Sequence, residues 1–247
     1  MADRGRCDSR SIQKDQQRLQ SIIADLPLFR GLSQARLASI ARAARLVRVP
    51  RGGAVARRNE RLASLFAVAE GLISVALRRG GNSERVLRFV GPGETFGEAA
   101  ALLGRASAID AVALADSLLA SIAARPLQAL MARDRQLALR VAALLAQRML
   151  DLLDEIEASE LRPAAERLAI YLLSLARPAA ANGSLTARLP ATKTLIAARL
   201  GMKKETLSRL LHDLAGRRLI EVSRQDIAIL DASALRAVAR GEAAAPR

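Results

Sequence analysis

The chain has 247 residues, half of them apolar, with a formal net charge of +15, one histidine and one cysteine. That length favours one large domain or two of ordinary size, and the charge suits an acidic partner such as nucleic acid or a membrane surface. A single thiol, Cys7, excludes an internal disulfide framework and any cysteine-only metal site, and fits a reducing compartment.

The charge needs a discount. Arginine supplies 35 of the 39 basic residues, and the excess is spread: +9 over residues 1–126, 0 over 127–185 and +6 over 186–247. A GC-rich coding bias would do the same, so charge alone does not identify a DNA-binding face. The N-terminus "MADRGRCDSRSIQKDQQRLQ" has no apolar signal core. Uncharged runs stay near ten residues, against the ~20 a bilayer span needs. A cytoplasmic protein with no membrane partner is expected.

In chain order, residues 1–22 are charged and expected as a flexible arm, loose or as a frayed helix. Ser33 is placed to cap a short helix carrying Leu37, Ile40 and Ala44. From Val47 to about Ile122 short β-branched runs are broken by glycines, and "RRGGNS" between two alternating runs signals a hairpin. Residues 23–126 therefore read as a small barrel or roll. Residues 127–160 contain no glycine and carry an apolar stripe of Leu137, Val141, Leu144, Leu145, Met149, Leu152 and Ile156, which predicts a long two-faced helix. A second copy of that helix would cover the stripe and make a homodimer; packing against its own domain's core is the alternative. Pro163 fits the first turn of a further helix. Residues 161–240 continue with helical segments, then "LIEVSRQDIAILD" as a hairpin, and residues 241–247 are expected to be disordered. The fold class is α+β.

"TKTLIAARLGMKKETLSRLL" has the organisation of a helix-turn-helix. Thr192 can cap the first helix, Ala197 is small where a second helix must cross, and Gly201 can adopt the left-handed turn. Ile196, Leu200, Leu207 and Leu210 are spaced for a shared apolar seam. On the other face, Glu205, Ser208 and Arg209 recur at three and four. A helix built only to hold phosphate would lose affinity by carrying Glu205. In a major groove, however, arginine pairs with guanine and a carboxylate accepts from cytosine. Lys203, Lys204 and Thr206 are placed for phosphate contacts, as are Thr192, Lys193 and His212. An i,i+4 ion pair between Glu205 and Arg209 is the plain alternative, compatible with reading because it would pre-orient the arginine.

With these motifs the chain resembles the Crp/Fnr superfamily of bacterial transcription regulators. "LPLFRGLS", "GPGETFGEA" and "KKETLSRLL" fall in the order of that family, over roughly residues 23 to 235. The resemblance implies an N-terminal β-roll sensor, a long dimerisation helix and a C-terminal winged helix-turn-helix that binds double-stranded DNA. "ETLSR" resembles the Fnr-type E-x-x-S-R pattern, implying that Glu205, Ser208 and Arg209 read TTGA-type inverted repeats. It further implies activation through RNA polymerase. "LPATKTLIAARLGMKKETLSRLLHDL" looks most like the Dnr group, which responds to nitrogen oxides and is thought to use haem.

"GETFGEAAALLGRASA" resembles the phosphate cassette of cyclic-nucleotide roll domains, with Gly97, Glu98 and Arg105 in the ligand positions. Three departures count against a nucleotide. The gap from Glu98 to Arg105 is short, Ala106 stands where a hydroxyl is usual (Ser107 is one position late), and the hydroxyl pair meeting the base falls on Leu152 and Leu153. An iron–sulfur cluster held within one subunit is excluded by the cysteine count. Haem is a candidate, but the only histidine, His212, lies on the reading helix. Cys7, Met131, Met149 and Tyr171 are other conceivable ligands. A cyclic-nucleotide-responsive activator and a non-specific basic DNA-binding protein are the alternatives. An enzyme using Glu94 and Glu98 as an acid/base pair lacks any supporting nucleophile or metal constellation.

Overall fold

Of the two readings of the N-terminal segment, the structure shows the helix. In the computed structural model, which describes residues 4–79, 83–178 and 185–242, helix α1 spans Arg4–Asp25. Leu19 and Ile23 lie one turn apart and, with Leu26 just beyond, are buried beside Phe29, Leu37 and Ile40. The charged residues around these few apolar positions hide the stripe from a composition reading. A 3-10 turn at Pro27–Phe29 leads to α2, Gln34–Arg42. Ser33 holds the N-cap position of α2, but its hydroxyl makes no capping bond, and Ala44 belongs to the first strand instead of the helix.

Two compact units divide the chain. The first contains residues up to Met149 except Ser83–Val86; the second contains Ser83–Val86 and everything from Leu150. The strands of the roll are β1 (Ala44–Val49), β2 (Ala54–Ala56), β3 (Ser64–Glu70), β4 (Ile73–Arg79), β5 (Ser83–Val90), β6 (Thr95–Phe96), β7 (Asp110–Ala113) and β8 (Ser117–Ala123). They form two four-stranded sheets, β1-β8-β3-β6 and β2-β7-β4-β5. Strands β4 and β5 are neighbours, as a hairpin requires; the turn expected between them, residues 80–82, lies outside the described residues. Helix α3, Glu98–Leu103, follows β6.

Strand β8 shows how the layers are built. Its sequence SLLASIA is apolar but for Ser117 and Ser121, and it is buried on both faces. Leu119 points into the core between the sheets, with Val68, Ile73, Val90 and Phe96. Ala120 and Ile122 face a second core shared with α1, α2 and the helices after the roll. Alternation fails as a strand signal here because both sides are covered.

The long helix expected over 127–160 is interrupted. It divides into α4, Ala124–Met131, and α5, Arg135–Leu161. Buried Asp134 starts α5: its Oδ1 accepts from the backbone N–H groups of Gln136 (3.0 Å) and Leu137 (3.1 Å), and Arg36 pairs with its Oδ2 at 2.7 Å. The dimer stripe is also corrected in part. Leu137 and Val141 are buried in the first unit's own core, and Leu144 and Leu145 pack against it. Only Met149, Leu152 and Ile156 of the expected set are exposed, together with Leu139, Leu150 and Leu153. A helix that serves its own core with one face leaves another free, and the 3–4 spacing does not tell which residue lies on which.

In the second unit, Pro163 precedes α6, Ala164–Leu175, at its N-cap position. The predicted hairpin is present as β11 (Ile220–Ser223) and β12 (Asp226–Ile229). Two further strands, β9 (Ala176–Pro178) and β10 (Leu185–Arg188), extend it to the order β11-β12-β10-β9. Between β10 and β11 lie α7, Lys193–Arg199, and α8, Lys204–Gly216. Helix α9, Ala232–Ala239, was not anticipated; the Asp231 carboxylate caps it by accepting from Ala234 N–H at 2.8 Å. "AANGS" and the tail beyond Glu242 lie outside the described residues.

Candidate nucleic-acid interface

Helices α7 and α8 pack through the residues their spacing selects. Ile196, Ala197, Leu200, Leu207, Leu211 and Leu214 are buried between them and the sheet, whereas Leu210 is half-buried. The turn between the helices closes with Met202 N–H donating to Ala197 C=O at 3.0 Å. Gly201 sits there at φ +62°, the left-handed conformation that ends helices at low cost only for glycine. Thr192 occupies the N-cap of α7, but its hydroxyl makes no capping bond; its carbonyl accepts from Ile196 N–H at 3.0 Å. Lys203 is the N-cap of α8.

Burying the leucine face of α8 leaves Glu205, Ser208, Arg209 and His212 exposed on another. Among the described residues no hydrogen bond or ion pair engages the side chains of Glu205, Ser208 or Arg209, and the i,i+4 pair between Glu205 and Arg209 is not formed. Lys203 and Lys204 are exposed at the start of α8, with Thr206 half-buried beside them. A groove of about 550 Å³ runs beside this face, lined by Lys193, Ser208, Leu211, His212, Glu221 and Leu230 among others. A lysine, a hydroxyl and an imidazole along one groove offer donors to an anionic backbone.

The sensor residues are placed less favourably for a nucleotide. Gly97, at φ +82°, leads into α3, and the buried Glu98 carboxylate already accepts from the Thr95 hydroxyl. Ser107 is buried with its hydroxyl donating to Ile109 C=O (2.8 Å) and accepting from Ile109 N–H (3.2 Å). Arg105 is exposed, Phe66 and Phe96 stack with centroids 5.3 Å apart, and Gly97 adjoins Phe66 and Leu62. The Glu98 carboxylate and the Ser107 hydroxyl thus each have a partner within the roll. Leu152 and Leu153 are exposed on α5.

The apolar cavity of the first unit, about 350 Å³, is walled by Leu26, Leu28, Ala143 and Leu144, with Arg140 and Arg148 beside them. It is lined by no histidine, cysteine, methionine or tyrosine. Met149 is exposed and Met131 packs against the first core. His212 and Tyr171 belong to the second unit, where burial pushes the Tyr171 phenol up to about 12 against the pull of Arg199. The side chain of Cys7 lies outside the described residues. Among the described residues no group of three or more His, Cys, Asp or Glu could hold a metal, and no helix is long and apolar enough to cross a membrane.

A β-roll unit followed by a winged helix-turn-helix unit defines a two-part DNA-binding regulator. Comparison with known proteins agrees. Residues 166–238 match the Crp-like helix-turn-helix domain family, and residues 46–134 match the Cyclic nucleotide-binding domain family. The chain is 31% identical to the "Probable transcriptional regulator flp" of Lacticaseibacillus casei, over 86% of this chain and 95% of that protein. It is 29% identical to the "Cyclic AMP receptor protein" of Thermus thermophilus, over 87% and 97%. The solved structure of FixK2 from Bradyrhizobium japonicum shares the fold, with a TM-score of 0.71 at 22% identity, covering 82% of this chain and 99% of that one. The chain belongs to the Crp/Fnr family of transcription regulators, and its helix-turn-helix binds DNA.

Proposed function

We propose that this regulator acts as a homodimer that reads a TTGA-type inverted repeat through Glu205, Ser208 and Arg209. The observation that carries the reading is an acid, a hydroxyl and a guanidinium exposed together on α8 without a partner inside the described chain. Placed in a major groove, Arg209 would donate to a guanine edge and Glu205 would accept from a cytosine amino group. Thr192, Lys193, Lys203, Lys204, Thr206 and His212 flank the trio and would hold phosphate.

Dimerisation is supported by the exposed apolar residues of α5, Leu139, Met149, Leu150, Leu153 and Ile156. So many large side chains left in water on one helix mark an association surface, and a two-fold dimer would set half-sites about one helical turn apart. Contact with RNA polymerase and transcriptional activation follow from the family likeness.

For the effector, the nitrogen-oxide response rests on the likeness of the C-terminal segment to the Dnr group. Haem and a cyclic nucleotide are the two effectors to be tested. An absorption spectrum during haem titration tests the first, and a Soret shift would support it. The Thermus thermophilus relative named for cyclic AMP makes that nucleotide the second ligand to titrate, by calorimetry. The DNA reading is tested by measuring affinity for an inverted TTGAT repeat and a scrambled duplex at one salt concentration. Equal affinity for both sinks it.

A further inference from the structure

Four charged residues, three of them far from α8 in sequence, converge on the turn that launches it. Glu155 on α5 is only 14% exposed at its side chain, and its Oε1 meets Arg199 at 2.7 Å and Arg85 at 3.2 Å. Arg199 is the last residue of α7. Its neighbour Leu200 presents a carbonyl that accepts from Arg167 Nε at 3.0 Å, while Arg167 also donates to Arg162 C=O at 2.6 Å. The next residue, Gly201, lies under the Arg85 guanidinium so closely that a Cβ there would fall 1.7 Å from its nearest nitrogen. Three consecutive turn residues are thus held by one cluster, all within the second unit.

We propose that Arg85, Glu155, Arg167 and Arg199 form a brace on the α7–α8 turn that sets the pose of α8, with Glu155 a positioning residue for base reading. The proposal rests on the reading of α8 given above. Arg85 and Arg199 share one carboxylate oxygen of Glu155, Arg167 adds a third positive charge close enough to feel Arg85, and Glu155 is the acid of the four that counters their repulsion. Without its charge, Arg85 and Arg199 separate, and Gly201 loses the group lying on it. Base reading needs donors placed within a few tenths of an ångström, whereas phosphate holding tolerates a looser helix. A loosened turn therefore costs discrimination before it costs affinity. Burial holds the Glu155 carboxyl above its ordinary range despite the attraction of Arg199 and Arg85.

Two variants, Glu155→Gln and Arg85→Met, keep the side-chain volumes and remove one charge each. Amide hydrogen exchange at Gly201 and Met202 is expected to accelerate about tenfold in both, with the melting temperature of the second unit little changed. The ratio of affinities for the inverted repeat and the scrambled duplex is expected to fall about tenfold; taking the ratio cancels the change in protein charge. Unchanged exchange in both variants overturns the brace, whatever the DNA result. Faster exchange with the ratio intact overturns its positioning role. If the wild-type protein itself shows no preference while the variants exchange faster, the base-reading assignment fails and the brace stands.

Discussion

Glu205 and Arg209 stand one turn apart on the exposed face of α8 and do not pair with each other. An i,i+4 contact would have satisfied both at a gain of only ~0.3 kcal/mol. Left open, they present an acceptor and a bidentate donor about 6 Å apart along the helix axis. Arg209→Ala is expected to relax discrimination at one base pair by about 1–3 kcal/mol, and Glu205→Ala to do the same at a neighbouring pair. Binding to duplexes changed one position at a time checks this. If Arg209→Ala leaves the preference intact, the reading face is misassigned.

Lys203 is expected to behave differently. Lys203→Ala should weaken specific and scrambled duplexes alike and lower the salt slope by about one. Titrations over a series of salt concentrations give both quantities.

Gly201→Ala separates backbone strain from the brace. A φ of +62° costs an L-residue about 1–2 kcal/mol, and the new methyl must displace the Arg85 guanidinium. The melting temperature of the second unit should drop accordingly. Adding Arg85→Ala should recover only the part due to the collision.

The exposed residues of α5 predict a split between assembly and folding. Met149→Glu with Ile156→Glu should shift dimer dissociation by about 2 kcal/mol or more, readable by sedimentation, with little change in unfolding. Leu207→Ala, in the seam between α7 and α8, should instead destabilise the second unit by about 2–5 kcal/mol.

Glu155 gives a pH dependence of definite sign. Burial raises its folded pKa above the unfolded value of 4.5, against the attraction of Arg199 and Arg85. Between those two values the folded state holds more protons, so the contribution to stability is fully present below pH 4.5 and declines as pH rises through the folded pKa. Glu155→Gln should flatten that slope in thermal unfolding of the second unit from pH 4 upward. An unchanged slope would place the titration elsewhere.

The sequence by itself determined the helix-turn-helix, because its signals are local: Gly201 needs a positive φ, and 3–4 spacing assigns Leu207 and Leu211 to one face and Glu205, Ser208 and Arg209 to another. The roll was legible from short strands and glycine turns, which are local too. Tertiary structure decided what a stripe or a charge touches. Leu137 and Val141 look like Met149 and Ile156 in spacing, yet the first pair is covered by α1 and the roll and the second is not. Leu19 and Ile23 turn a charged arm into a core helix only because α2 lies beneath them. No local pattern brings Arg85 and Glu155 to Gly201, since that meeting depends on how separate segments close in space, and spacing along the chain carries no record of it.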